Sequence, residues 1–154
     1  MSEAHVGIGY EAHRFAPGRR LVLGGVEIPH ELGLAGHSDA DVLTHAVIDA
    51  LLGAARLGDL GTLFPPEEER WRDADSMDLL RTALGQLPGR VLNVDATLIC
   101  EAPRVGPHRA EMERNLGEAL SAPVSVKATT NEGMGWIGRG EGVACVSVAL
   151  VELH

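Results

Sequence analysis

Residues Val143 to Val151 read Val-Ala-Cys-Val-Ser-Val-Ala-Leu-Val, an almost uninterrupted apolar run. Such a strand has no polar face to offer to water. It belongs where both faces are covered, in the core of a sheet or against another subunit. With 154 residues and 45% hydrophobic content, the chain can bury a sizeable core around it. No repeat or linker interrupts the sequence, which predicts a single domain over 1–154.

The other elements are arranged around that strand. Val6 to Arg14 predicts a strand whose even positions, Val6, Ile8 and Tyr10, alternate with Gly7, Gly9 and Glu11. Leu21-Val22-Leu23 and Val26-Glu27-Ile28 flank Gly24-Gly25, a hairpin signal, and Pro29 to Gly36 reads as a loop. A helix is predicted from Asp39 to Leu57, with Gly58 as its C-terminal cap. Asp75-Ser76 caps a second helix reaching Leu87, and Pro107 opens a third that reaches Leu120. Strands are predicted over Val91 to Cys100 and Val124 to Ala128. Gly58 to Asp73 and Thr129 to Glu141 read as loops rich in glycine and polar residues. Together these give an α+β fold: a mixed β-sheet with about three helices packed on one face.

Composition narrows the function. Thirteen basic against twenty-two acidic residues give a net charge of −9, and aromatic residues are only 3%. No basic cluster interleaved with aromatics is present, which argues against a nucleic-acid surface. No run approaches the ~18 apolar residues of a membrane span. Met1 to His5 lacks the basic-then-apolar pattern of a signal peptide. Cys100 and Cys145 both lie in apolar strands, as reduced core thiols of a cytoplasmic protein would. An anionic ligand of so acidic a chain would need local metal ions, backbone N–H groups and a few placed cations.

Two clusters can supply these. In the first, Glu11 and His13 are two apart on a strand and leave the same face. His45 approaches from the first turns of the helix. Two imidazoles and a carboxylate suit zinc with an open fourth position, and equally the iron(II) oxygenases, so spacing alone does not name the metal. Ser38 with Asp41 three residues on resembles a capping box, and the N–H groups at the start of the helix favour a nearby phosphate. Asp41, His45 and Asp49 form one stripe, on which Asp49 is either a solvated residue or part of the site. The second cluster runs from Lys127 to Gly142. There the hydroxyls of Thr129 and Thr130, the acid Glu132 and a glycine-rich turn carrying Arg139 can cradle phosphate oxygens or form a plain polar hairpin.

The motifs occur in a specific order over nearly the whole chain: Gly9-Tyr-Glu-Ala-His13, Gly24-Gly25, His37-Ser-Asp-Ala-Asp41 with His45 and Asp49, Leu57-Gly-Asp-Leu-Gly61 and Leu63-Phe-Pro65. They continue with Ala74-Asp-Ser76, Ala102-Pro103, Lys127-Ala-Thr-Thr130 and Gly138-Arg-Gly-Glu-Gly142. In this order they resemble the 2-C-methyl-D-erythritol 2,4-cyclodiphosphate synthases of non-mevalonate isoprenoid biosynthesis. The resemblance implies a lyase reaction in which the 2-phosphate of 4-diphosphocytidyl-2-C-methyl-D-erythritol 2-phosphate attacks the β-phosphorus and expels CMP. It implies Zn²⁺ on Glu11, His13 and His45, and Mg²⁺ or Mn²⁺ with the diphosphate near Glu132. His37 and Thr130 would stabilise the transition state and Ser38 would hold phosphate. Asp59 and Gly61 would bind the methylerythritol, with the loop Phe64, Pro65 to Glu68 closing over it. Cytosine would be received by backbone groups of Cys100, Glu101, Ala102, Pro103, Arg104, Val105 and Gly106. Thr129, Asn131, Trp136 and Arg139 would line the phosphate and nucleotide side. A homotrimer with active sites between subunits is also implied.

The chain departs from the family pattern at four positions. Glu11 stands where Asp is usual, Pro66 where the loop usually has Asp, Asn131 where a third Thr is common, and Arg104 where Lys is common. Two alternatives use the same residues: a metal phosphohydrolase or iron(II) enzyme, and a non-catalytic nucleotide- or isoprenoid-binding trimer.

Overall fold

A computed structural model describes residues Met1–His154. The apolar run lies in β7 (Gly142–Leu153), the middle strand of a five-stranded mixed sheet. The sheet order is β4 (Gly33–Leu34), β1 (Glu3–Ala16), β7, β5 (Gly89–Ile99), β6 (Val124–Thr129). Only β5 and β6 are parallel. β2 (Leu21–Leu23) and β3 (Val26–Ile28) form a separate hairpin.

Three longer helices lie on one face of the sheet. α1 (Val42–Ala54) packs on β1 and β7, α3 (Ser76–Leu84) on α1, and α4 (Arg109–Leu120) on β6. Val143, Cys145, Ser147, Ala149 and Val151 of β7 are fully buried beneath them. The opposite face is open. Val6, Ile8 and Tyr10 stand 68%, 69% and 57% exposed, and Val148 of β7 is 40% exposed. Burial of β7 on both faces therefore holds at its start, where Val143, Ala144 and Cys145 are wholly covered, and fails further along within one chain. Cys100 and Cys145 are buried and unbridged, as expected. No helix is long and apolar enough to cross a membrane.

Two details bring α1 into position. Gly7 and Gly9 face it from β1, and a Cβ at these positions would fall 1.9 Å from the Ala50 carbonyl oxygen and 2.0 Å from that of Ala46. Helix backbone thus rests directly on strand backbone, with Ala46, Ala50 and Ala54 completing a seam of small residues. At the N-terminus Asp41 accepts from the Thr44 N–H at 3.0 Å, and from the N–H groups of Gly24 and Gly25 at 2.9 Å each. Both glycines have positive φ, the requirement of a tight hairpin turn, and the carboxylate ties that turn to the helix cap.

The helix is shorter than the Asp39–Leu57 expectation at both ends. Ala40 has φ +58° and Asp41, not Ser38, is the N-cap. Ser38 accepts from the Ala40 N–H instead, so no capping box forms. At the other end the left-handed residue that closes the helix is Arg56, at φ +60°, two positions before Gly58. The Leu57 N–H bonds Leu52 O and the Arg56 N–H bonds Gly53 O, a Schellman closure. The second helix ends at Leu84 rather than Leu87. The third begins as a 3₁₀ turn over Gly106–His108. The two loops carry single-turn helices, α2 (Leu60–Leu63) and α5 (Gly135–Gly138), and a 3₁₀ turn lies at Glu69–Trp71. Glycine content and missing periodicity hid turns this short.

Candidate active site

The odd positions of β1 face α1, so Glu11 and His13 lie on the same buried side as Gly7 and Gly9. His45, in the first turn of α1, meets them there. The ligand atoms of Glu11, His13 and His45 all lie within 4.8 Å of one another. His13 Nε2 is 3.3 Å from His45 Nδ1 and 3.8 Å from Glu11 Oε2. Two nitrogens bound tetrahedrally at the usual zinc–nitrogen length are ~3.4 Å apart, so the imidazole pair is already spaced for one ion. The longer Glu11 side chain reaches the same point that an Asp would have to reach from closer by.

Polar groups behind the trio hold it. His45 Nε2 lies 2.8 Å from Ser76 Oγ and 3.1 Å from Ser38 Oγ. The Asp49 carboxylate is near enough to Glu11 to raise its pKa, and its Oδ1 accepts from the Leu60 N–H at 2.7 Å. Asp49 is thus not a solvated helix face: it stands between Glu11 and the start of α2. Arg19 donates to the carbonyls of Gly36 and Ser38 and fixes the segment that carries His37 and Ser38.

Burial dominates the electrostatics. It lowers the pKa of His13, with Arg19 adding to the effect, and lowers that of His45 to about 4, with His13 adding to it. It raises Glu11 to about 8, helped by the neighbouring Asp49 and by the Asp59 charge. At pH 7 both imidazoles are therefore neutral, while the carboxyl, being below its pKa, keeps its proton. A cation must displace that proton, so binding of Zn²⁺ is expected to release close to one proton per chain at pH 7 and far less at pH 9.5. Titration calorimetry in two buffers of different ionisation enthalpy measures this. Release near zero at pH 7 would show that Glu11 is not a ligand, or is already ionised.

A cavity of about 260 Å³ opens over the trio, lined also by His37, Ser38, Leu60, Gly61, Phe64, Pro66, Trp71 and Leu79. Phe64 and Trp71 meet edge to face at 4.9 Å, and the Trp71 indole N–H is buried on this wall with no partner. The His37 Nε2–H donates to the Glu68 carbonyl at 3.2 Å. Glu68 thus meets the cavity wall through its backbone, while its carboxylate pairs outside with Arg70 at 2.6 Å. Asp59 is exposed and caps α2; hydrogen bonds from Thr62 hold its pKa below the usual value. Neither Asp59 nor Pro65 lines the cavity.

A second cavity, of about 350 Å³, lies at the ends of β5 and β6 and shares no residue with the first. Cys100, Glu101, Pro103, Arg104, Val105, Gly106, Thr129 and Thr130 line it, as do Arg109 and Lys127. Ala102 precedes a cis Pro103 and lies outside the lining. The Glu101 carboxylate accepts the N–H groups of Asn131 at 2.7 Å and Gly133 at 3.2 Å. That clamp shapes the turn at Glu132, where φ is +55°. Glu132 itself is exposed, as is Arg139, which pairs with Glu141. Trp136 and Asn131 also lie outside the second cavity lining.

Thus His37 and Ser38 line the cavity over Glu11, His13 and His45, whereas Thr130 belongs to the other cavity. Asp39, Ser76 and Trp71 were not singled out from sequence as site residues. Their roles depend on contacts with remote segments, and a Trp in a Pro- and Glu-rich loop was the one available signal.

Residues 4–152 match the YgbB family. The 2-C-methyl-D-erythritol 2,4-cyclodiphosphate synthase of Salinibacter ruber is 54% identical, over 96% of this chain and 98% of its own. Among solved structures, the bifunctional IspDF of Campylobacter jejuni superposes with a TM-score of 0.94 and 36% identity, over all of this chain and 43% of that one. A 2C-methyl-D-erythritol-2,4-cyclodiphosphate synthase solved in a CDP-bound form gives a TM-score of 0.86 and 34% identity, over 95% and 99% of the two chains.

Proposed function

Because the chain belongs to the YgbB family, whose members include the 2-C-methyl-D-erythritol 2,4-cyclodiphosphate synthases, we propose that it converts 4-diphosphocytidyl-2-C-methyl-D-erythritol 2-phosphate to the 2,4-cyclodiphosphate and CMP. The observation that carries this reading is the spacing of Glu11, His13 and His45, with a 3.3 Å imidazole pair facing an open cavity. The bond that forms joins a 2-phosphate oxygen to the β-phosphorus, and the bond to the CMP oxygen breaks. Nucleophile and leaving group both belong to the substrate. The protein therefore acts by positioning and by stabilising charge, which accords with a cavity that has metal-ligand geometry but no activated protein nucleophile.

Glu11, His13 and His45 are the residues that would hold Zn²⁺, and Glu132 would hold Mg²⁺ or Mn²⁺ with the diphosphate. Bound there, such ions supply Lewis-acid polarisation of phosphoryl oxygens. Ser38 presents a hydroxyl to the phosphate and His37 faces the same cavity, oriented through the Glu68 carbonyl. Phe64, Pro66 and Trp71 form an apolar wall that excludes water from the reacting groups. Backbone of Cys100 to Gly106 would read cytosine. Arg104 supplies positive charge at the second cavity, with Lys127 and Arg109 beside it paired to Asp95 and Glu113. Thr130 and Arg139 would face the phosphates, and Asp59 with Gly61 the methylerythritol hydroxyls.

We place the complete site between subunits of a homotrimer. The open apolar face of Val6, Ile8, Tyr10 and Val148 supports assembly, and the two separate cavities support a site completed by a neighbour.

The test follows ³¹P resonances of the substrate with purified protein of measured mass and metal content. Conversion to cyclic diphosphate and CMP, lost on chelation and restored by zinc, is expected. An unchanged substrate with metal-loaded trimer, or iron with oxygen-dependent turnover, would overturn the reading.

A further inference from the structure

We infer that Asp39 and Ser76 are positioning residues for His45: they lock its imidazole as the Nε2–H tautomer and leave Nδ1 unprotonated, its lone pair aimed at Glu11 and His13. The inference deepens the metal-centre reading and rests on it for its catalytic meaning.

The argument is a count of protons. Ser76, the first residue of α3, is fully buried. Both oxygens of the Asp39 carboxylate are acceptors for backbone: Oδ1 takes the Asp41 N–H at 3.1 Å and Oδ2 the Ser76 N–H at 2.9 Å. The Ser76 hydroxyl, in close contact with Oδ1, therefore donates to it. A hydroxyl has one proton. With that proton committed, Ser76 Oγ can only accept from His45 Nε2, 2.8 Å away, so Nε2 carries the ring proton. Ser38 Oγ, at 3.1 Å from the same nitrogen, already accepts from the Ala40 N–H and takes a second, longer share of this one.

The remaining nitrogen, Nδ1, then has its lone pair free. In the metal-free chain it accepts from His13 Nε2–H at 3.3 Å, and the same lone pair is the one a cation would use. The chain Asp39, Ser76, His45 is the arrangement in which an outer carboxylate fixes a ligating imidazole and raises its basicity, here through a serine. A second consequence concerns Ser38. Both of its contacts are ones in which it accepts, so its own proton is uncommitted within the chain and is available to an anion in the cavity.

A purely structural role would tie α3 to the segment 37–41 without fixing the tautomer, and ¹⁵N NMR of the metal-free protein separates the two. His45 is assigned by the resonances that vanish in His45→Ala. Wild type is expected to show a pyrrole-type Nε2 and a pyridine-type Nδ1 for His45. Ser76→Ala and Asp39→Asn are expected to move this pattern toward a mixture and to weaken Zn²⁺ binding roughly 10- to 100-fold. A wild-type spectrum with the proton on Nδ1 overturns the inference, whether or not either variant folds. So does a folded Ser76→Ala protein with an unchanged pattern and Zn²⁺ affinity within about twofold of wild type, well inside the effect expected of an outer-shell partner. If the wild-type pattern is as expected but metal-loaded protein leaves the diphosphocytidyl substrate intact, the proposed activity fails and the tautomer assignment stands.

Discussion

His45→Ala is expected to lower turnover of the diphosphocytidyl substrate by roughly three orders of magnitude, the several kcal/mol a Lewis acid contributes at a phosphoryl centre. His45 is the one ligand supplied by α1, so its loss leaves Glu11 and His13 on a single strand with two donors and no closed site. Zinc content should fall with activity. The substitution also removes the hydrogen bond His45 makes to Ser76 and Ser38, a loss of about 0.5–1.5 kcal/mol, since both hydroxyls keep a second partner in Asp39 and the Ala40 N–H. Stability and catalysis must therefore be measured together, by thermal unfolding and by initial rates at a temperature where the variant is folded. A folded variant with wild-type rate would remove His45 from the mechanism and, with it, the metal reading of the trio.

Gly9→Ala is expected to destabilise the fold by about 3 kcal/mol, at the upper end of ordinary overpacking. The new methyl would lie 2.0 Å from the Ala46 carbonyl oxygen and 2.9 Å from the Ala50 nitrogen. These are backbone atoms of α1 and cannot rotate away as a side chain can. Either β1 bends or the helix lifts by more than an ångström, and lifting opens the seam over β7. His45 is the residue before Ala46, so the same movement separates its Nδ1 from His13 Nε2 and should weaken zinc binding in whatever protein remains folded. Gly53→Ala, in the same helix, is the control. Its Cβ would meet only the Ile8 carbonyl at 3.9 Å, and replacing this glycine of the last helical turn should gain up to about 1 kcal/mol. Equal melting temperatures for Gly9→Ala and wild type, read by circular dichroism, would show that the helix does not sit on the strand as described.

Much of the candidate site was legible because its main parts follow simple periods. The two-residue repeat of a strand puts Glu11 and His13 on one side, opposite Val6, Ile8 and Tyr10. The run from His37 to His45 marks the start of a helix that brings a second imidazole. Gly24-Gly25 announced its hairpin, and Pro107 the start of the third helix. What failed were quantities set by capping. α1 begins at Val42 because Asp41 is occupied with Gly24, Gly25 and Thr44, and it ends by a left-handed Arg56 where glycine was the expected residue. Local preference favours glycine there, but the bonds from Leu57 and Arg56 to the helix carbonyls outweigh it.

By itself, then, the sequence determined which residues could share a face and, through ordered motifs over the whole chain, the family. Tertiary structure alone decided the distances. The approach of α1 to β1 follows from backbone contact at Gly7 and Gly9. The hold on His45 comes from Ser76 and Asp39, 31 and 6 residues away in the chain. The acid beside Glu11 is Asp49, a residue that helix periodicity alone could not tell from a solvated one. Thr130 and His37, given one role by the family resemblance, lie at separate cavities within one chain. The physical reason is common to all four. Periodicity along a chain fixes directions within one element, whereas contacts between elements depend on how closely packed backbones and buried polar groups can satisfy one another.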